Sequence, residues 1–257
     1  MSIKTCCSTT DRVISIEGLS NVRDLGGVKA KNGEVFKSGI VVRGESPQFA
    51  TEEGAAKLVK YGVTDIVDLR TGIEVRSEGY GFLSGHSPEN LEIHHLPIIM
   101  DNQWKVDLVG SGKKEERYVS FLKWLDSGGA NSLVKILSVI ESAKGATYIH
   151  CAAGKDRTGM VASILYELAE VEYCCIEYDY LMTNRNVMEV LNRLGQSDTY
   201  QRDLKNPNIH AQLTRAGEIT EFLEKLKERS AIIPWLVSVG VSMDTLNSLK
   251  KRLLSSN

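Results

Sequence analysis

The chain has 257 residues, of which 42% are hydrophobic and 25% are charged, as in an ordinary globular protein. Its formal net charge of −2 at pH 7 argues against a nucleic-acid-binding protein and against a polybasic membrane-surface protein. No stretch reaches the ~18–20 apolar residues of a transmembrane helix, so we expect a cytoplasmic protein without stable membrane insertion.

The five cysteines are odd in number and include two adjacent pairs, Cys6–Cys7 and Cys174–Cys175. They show neither a regular disulfide spacing nor a zinc-binding pattern. We therefore expect reduced thiols, and neither a metal ion nor any other cofactor.

Up to about residue 173, short β-prone segments alternate with helical ones. Thr51, followed by two glutamates, predicts a helix that runs to about Lys60. Apolar periodicity predicts the next two helices, and a further helix begins at Thr158. The predicted strands are 13–16, 39–43, 64–69, 92–97 and 146–149, and the two helices between them are 113–126 and 132–142.

Beyond Tyr173 the pattern is almost wholly helical, with an interruption at 195–207 and a last helix that begins at Ser242 or Asp244. The lack of repeats and low-complexity linkers favours one domain over residues 1–257. Strands separated by helices predict an α/β fold, with a helical C-terminal part at about 174–257 packed on the sheet.

The segment HCAAGKDRTG, residues 150–159, lies between a predicted strand and a predicted helix. A tight loop in this position aims backbone N–H groups inward, and the helix N-terminus adds positive charge, so the two form a nest for an anion. The same donors favour the thiolate of Cys151, which can attack phosphorus and form a cysteinyl-phosphate.

The neighbours of Cys151 suit such a nest. Gly154 permits backbone geometry that a Cβ would block, and the planar guanidinium of Arg157 can bind two phosphate oxygens. Lys155 adds a cation at the mouth of the site, and the Thr158 hydroxyl is expected to donate to the sulfur. The predicted phosphate-binding residues are Ala152, Ala153, Gly154, Lys155, Thr158 and Gly159.

HCAAGKDRTG resembles the active-site signature of the protein tyrosine phosphatase superfamily, and the whole chain resembles its atypical tyrosine/lipid phosphatase branch. The other matching motifs are SNVRDLGG at 20–27, VRGE at 42–45, TDIVDLR at 64–70 with Glu74, YDYLMTN at 178–184, and the stretch 240–254. The resemblance implies a tyrosine-phosphatase-like fold, with a central mixed sheet flanked by helices. It also implies a phosphomonoester hydrolase acting on phosphotyrosine proteins, with phosphoserine, phosphothreonine and phosphoinositides left open as further substrates. Lys155 would favour the polyanionic phosphoinositides.

The proton donor for the leaving group is open between two aspartates, because no WPD tripeptide occurs in the chain. Asp156 lies inside the loop, where the resembling branch is proposed to place its acid. Asp101 follows a predicted strand and would occupy the position of the mobile acid loop of other family members. Asp156 is favoured as the catalytic acid.

Three further residues are expected to support the loop. His150 is expected to hydrogen-bond the backbone and orient the loop, rather than act as a base. Asp68 and Arg70 close a buried strand, where α/β sheets place binding groups, and form either an active-site contact or a structural salt bridge. His94 and His95 have no partner spacing and are expected to face opposite sides of a strand.

Two other functions compete with hydrolysis. One is a catalytically inactive pseudophosphatase that binds phosphorylated partners. The other is a different cysteine enzyme, such as an arsenate reductase or a sulfurtransferase, with Cys174 or Cys175 as the resolving thiol. The Arg-Thr-Gly run at 157–159 argues against this last function.

Overall fold

A computed structural model describes residues 12–84, 91–98, 122–204 and 212–255. The strands are β1 (Arg23–Asp24), β2 (Val35–Phe36), β3 (Val41–Gly44), β4 (Val63–Asp68), β5 (Glu92–His95), β6 (Ala146–His150) and β7 (Leu254–Ser255). The α-helices are α1 (Glu52–Lys60), α2 (Gly72–Glu78), α3 (Ala130–Ser142), α4 (Asp156–Leu168), α5 (Tyr173–Met182), α6 (Val187–Leu194), α7 (Gln201–Leu204), α8 (Glu218–Arg229), α9 (Ile232–Ser238) and α10 (Met243–Leu253). Short 3-10 helices span Pro47–Phe49, Gly81–Ser84 and Thr183–Arg185, and a π-helical turn spans Leu125–Gly129.

The central sheet has five strands in the order β1-β3-β6-β4-β5. The pairs β3–β6, β6–β4 and β4–β5 are parallel, whereas β1 is antiparallel to β3, so the sheet is mixed. The strands β2 and β7 form a separate antiparallel pair. This architecture confirms the predicted α/β fold with a central mixed sheet flanked by helices and a helical C-terminal part.

Both faces of the central sheet are covered. Val67 and Ile149 pack into the core that contains α3, α4 and the C-terminal helices α8 and α10. Their neighbours Ile66 and Tyr148 point to the opposite face and pack against residues of α1. Because alternate residues of a strand face opposite sides, full coverage explains why β6 is buried at every position.

Local sequence signals, such as helix N-caps, predicted most of these elements. Thr51 caps α1 by accepting a hydrogen bond from the Gly54 N–H at 3.1 Å, and Ser242 caps α10 in the same way. The prediction of a strand at 13–16 was wrong, because Val13 and Ile16 make only isolated bridges, to Arg23 and Leu19. The predicted helix 113–126 lies mostly outside the described residues.

Among the described residues, no helix is both long and apolar enough to cross a membrane. Cys151 and Cys175 are buried and form no disulfide. Cys174 is disulfide-bonded, so the expectation of reduced thiols does not hold for this residue.

Candidate active site

The segment 150–159 forms the predicted strand–loop–helix. Strand β6 ends at His150, helix α4 begins at Asp156, and Cys151 opens the loop between them with 3% of its surface exposed. In the register of the sheet, His150 lies between Gly44 of β3 and Asp68 of β4. Cys151 therefore lies at the carboxyl edge of the sheet and at the N-terminus of a 13-residue helix, where partial positive charge favours an anion.

Gly154 is required by the path of this loop. Its φ of +65° lies in the left-handed region, and a Cβ there would stand 2.2 Å from the carbonyl oxygen of Gly44. Glycine alone satisfies both conditions, so the loop can pass against the end of β3.

Arg157 reaches the Cys151 pocket with its guanidinium already paired. Its two Nη atoms donate to the carboxylate oxygens of Glu74 at 2.7 and 2.8 Å. Tyr200 donates its hydroxyl to the same carboxylate at 2.7 Å. Burial acts to raise the pKa of Glu74, but the charge of Arg157 and these hydrogen bonds outweigh it and lower that pKa to about 2. Arg157 is thus held in one orientation by a bidentate ion pair.

Asp156 lies at the pocket beside two partners. Its Oδ1 accepts a hydrogen bond from the hydroxyl of Tyr180 at 3.0 Å, and its Oδ2 lies 3.4 Å from Nζ of Lys155. Lys155 itself donates to the carbonyl of Gln212 at 2.8 Å, and its side chain is only 7% exposed. The lysine is therefore anchored to the chain, and it lines the pocket as a cation, as expected.

His150 faces the backbone, as expected. Its Nδ1 lies 3.1 Å from the carbonyl oxygen of Cys151, so this nitrogen carries the proton and donates. Burial lowers the pKa of His150 to about 4 despite the opposing effect of the Asp68 charge, and the ring is neutral at pH 7.

Asp68 and Arg70 form a buried ion pair with each other. The guanidinium of Arg70 donates to Asp68 from both Nε and Nη2, and also to the Gly79 carbonyl and to Gln48. Burial tends to raise the pKa of Asp68, but the electrostatic effect of His150 and the hydrogen bonds and charge of Arg70 lower it to about 2. Neither residue lines the Cys151 pocket, although Asp68 Oδ1 is 3.8 Å from Nε2 of His150. They support β4 beside the loop.

The remaining predicted residues divide between the pocket and its support. Gly154, Thr158 and Gly159 do not line the pocket, and Gly159 lies where Tyr180 packs on α4. The buried Thr158 hydroxyl has no hydrogen-bond partner among the described residues, so the expected bond to the sulfur is not formed. Asp101 lies outside the described residues. The predicted residues that do line the pocket are Cys151, Ala152, Ala153, Lys155, Asp156 and Arg157.

The opposite wall of the pocket is apolar. It is built from Met160 of α4 and from side chains of the C-terminal part, mainly on α6. These side chains are Val187, Val190, Leu191, Leu194 and Leu204. A pocket with a polar floor and an apolar wall suits a ligand that joins a phosphate to an apolar group.

One cluster of metal-ligating type occurs among the described residues, outside the Cys151 pocket. Asp65, Glu92 and His94 lie on β4 and β5 with their ligand atoms within 4.8 Å of one another. His94 Nε2 contacts Asp65 Oδ1 at 2.9 Å, so His94 has the partner that its spacing did not indicate. His95 contacts the carbonyl of Arg70.

Sequence reasoning missed several residues that fix the loop. Glu74 was noticed only as part of a motif, and Tyr200, Asp179 and Arg43 were assigned no role. Arg43 and Asp179 belong to the VRGE and YDYLMTN motifs, and a charged residue inside an otherwise apolar segment is the signal that marks both.

The sequence profile of the tyrosine phosphatase family matches residues 14–255, and the chain therefore belongs to that family. Within it, the chain is similar to the triple specificity protein phosphatase PtpB of Mycobacterium tuberculosis. The two are 24% identical over an alignment that covers 94% of this chain and 99% of PtpB. A tyrosine-protein phosphatase of Nostoc commune is 22% identical over 79% of this chain and 70% of its own length.

Proposed function

We propose that the protein hydrolyses phosphomonoesters through a cysteinyl-phosphate on Cys151. The observation that carries the proposal is the junction of β6 and α4, where a buried cysteine and a carboxylate-held arginine line one pocket. Phosphate bound there would meet the sulfur, the helix N-terminus and the guanidinium together. Family membership supports phosphatase activity.

The reaction has two steps. The Cys151 thiolate attacks phosphorus, the bond from phosphorus to the ester oxygen breaks, and the departing oxygen takes a proton from Asp156. A water molecule then attacks phosphorus, the S–P bond breaks, and Asp156 accepts the proton of that water. Inorganic phosphate leaves, and the thiolate is restored. Arg157 would stabilise the charge that spreads over the equatorial oxygens.

Asp156 fits the role of acid because it lines the same pocket as Cys151. Its side chain is 18% exposed, so a leaving group and water can both reach it. The hydrogen bond from Tyr180 fixes one carboxylate oxygen. Asp156 begins α4 directly after the loop, so its backbone moves with the phosphate site.

The apolar wall supports aryl phosphates, and hence phosphotyrosine, as the preferred substrate class. An aromatic ring attached to the bound phosphate would lie against α6, where it would bury apolar surface. Phosphoinositides are less well supported, because Lys155 is anchored to Gln212.

The test is hydrolysis of p-nitrophenyl phosphate under reducing conditions by the wild type, Cys151→Ser and Cys175→Ser. Cys175 is the matched control, because in the described part of the chain it is the other buried cysteine that forms no disulfide. We expect Cys151→Ser to lower kcat by at least about 10⁴-fold and Cys175→Ser by less than about threefold. Substrate binding without turnover by the wild type would indicate a phosphate-binding module, and thiol-dependent arsenate reduction would indicate an arsenate reductase.

A further inference from the structure

A buried cluster of three arginines and one aspartate lies behind the loop 151–155; we name it the Asp179 cluster. Asp179 of α5 forms ion pairs with all three arginines. Its Oδ1 lies 3.1 Å from a guanidinium nitrogen of Arg12 and of Arg23, and its Oδ2 lies 2.6 Å from Nη1 of Arg43 in β3. All four side chains are at most 7% exposed. Among the described residues, no other carboxylate lies within ion-pair distance of these arginines.

The cluster holds more positive charge than pairing with Asp179 requires. Burial, and then repulsion from Arg43, lower the pKa of Arg23 to about 10. A lone buried carboxylate can be satisfied by one or two guanidinium groups. Neutralising Asp179 therefore does not explain why a third buried arginine, Arg43, is present.

The second terminal nitrogen of Arg43, Nη2, explains why this arginine is present. While Nη1 binds Asp179, Nη2 donates to the carbonyl of Gly154 at 2.7 Å and to that of Lys155 at 3.2 Å. Asn21 donates to the preceding carbonyl, that of Ala153, at 2.9 Å. Arg43 of β3, together with Asn21 just before β1, thus binds three successive carbonyls of the loop.

Fixing these carbonyls also fixes the N–H groups. No peptide bond in the described residues is cis, and in a trans peptide the C=O and the following N–H point in opposite directions. With the carbonyls of 153–155 held by Asn21 and Arg43, the N–H groups of 154–156 point away from these two side chains. Their directions are set before a ligand arrives, as a preorganised anion site requires.

We propose that Arg43 is a positioning residue for phosphate binding: clamped by Asp179, it ties the carbonyls of Gly154 and Lys155 and so aims the loop N–H groups at the anion. The inference rests on the proposed function, because it concerns how the loop after Cys151 binds phosphate. Arg43 does not line the pocket and acts through the backbone.

The experiment compares Arg43→Lys with Arg12→Lys. Both variants keep the positive charge but replace a guanidinium that binds Asp179 with an ammonium group. Arg12 contacts no loop carbonyl, because its other hydrogen bonds go to the Asp24 carbonyl and to Tyr166. We expect Arg43→Lys to raise the Kd for inorganic phosphate by about 10- to 100-fold, and Arg12→Lys by less than about threefold. Calorimetry measures Kd on protein shown to be folded by circular dichroism, and the amide shifts of Gly154 and Lys155 report loop geometry.

Equal phosphate affinities for the two folded variants, with unchanged amide shifts, would overturn the proposal. If Arg43→Lys does not fold, Asn21→Ala removes the neighbouring donor to the loop, and an unchanged Kd there would overturn it as well. Phosphate binding is measured without turnover. A wild type that binds phosphate but hydrolyses no ester would therefore contradict the proposed function and leave this inference intact.

Discussion

At the scale of single residues, Arg157 and Asp156 line the same pocket but differ in exposure and in how firmly their side chains are held. Arg157 is buried and held by Glu74 and Tyr200 through a carboxylate with a strongly lowered pKa. Asp156 is partly exposed and held on one side by Tyr180. The first arrangement suits a fixed electrostatic role, and the second suits a group that gives and takes a proton.

Replacing Glu74 with Gln should reduce catalysis through Arg157. The amide keeps the size of the side chain but offers one acceptor and a donor that opposes an Nη of Arg157. We expect kcat/KM for p-nitrophenyl phosphate to fall about 10- to 100-fold. Glu78→Gln is the control, because Glu78 lies one turn later on α2 and binds Gln48 and Thr199. Equal losses in the two variants would show that Glu74 acts only on the stability of α2.

Replacing Asp156 with Asn should make the rate depend more steeply on the leaving group. Without the acid, a phenol of high pKa must leave as an unprotonated phenoxide, whereas a nitrophenol leaves readily. Steady-state rates over a series of substituted aryl phosphates give this dependence for the wild type and the variant. An identical slope would remove Asp156 from the role, and Asp101→Asn would then be the variant to examine.

At the scale of elements, the sequence predicted the strand–loop–helix at β6 and α4 and the capped helix α1, because each depends on local signals. It did not predict β1, since two residues in a glycine-rich turn become a strand only by pairing with β3. Nor did it assign Glu74 and Tyr200 to the site, because they are brought to Arg157 from α2 and from the segment before α7. Contacts between residues far apart in sequence leave no local pattern.

Helix α6 supplies most of the apolar wall, so Leu191→Ala should weaken binding of aryl substrates. Removing three of its four side-chain carbons takes away contact surface worth roughly 0.8 kcal/mol per buried methylene. We expect KM for p-nitrophenyl phosphate to rise about 3- to 10-fold, with little change for a small alkyl phosphate. Met188→Ala is the matched control, because Met188 lies on the same helix with 41% of its surface exposed. A parallel rise in KM for both substrate types would contradict the role of the wall.

At the scale of the whole molecule, the C-terminal part joins the sheet through buried charge as well as through apolar packing. Asp179 and Tyr180 of α5 contact β1, β3 and the start of α4, and Tyr200 contacts α2. The buried carboxylates of Asp179 and Glu74 thus bind groups from distant parts of the chain, and His150 is buried beside Asp68. Stability must then depend on pH through these groups.

Acidification should lower the stability of the protein in two pH windows, and the titration of His150 governs the first. Its folded pKa of about 4 lies below the unfolded value of 6.5, so the unfolded chain gains a proton first and stability falls between pH 6.5 and 4. The difference corresponds to about 3 kcal/mol. The folded pKa of Glu74 and of Asp68 is about 2, so the contribution of Glu74 is lost as pH falls from 4.5 to 2, and that of Asp68 as pH falls from 3.8 to 2. Urea unfolding at pH steps from about 7.5 to about 2 measures both windows. His150→Asn should abolish the dependence between pH 6.5 and 5, because asparagine does not titrate, and His95→Gln should leave it in place. A slope that survives in His150→Asn would assign this first window to other groups.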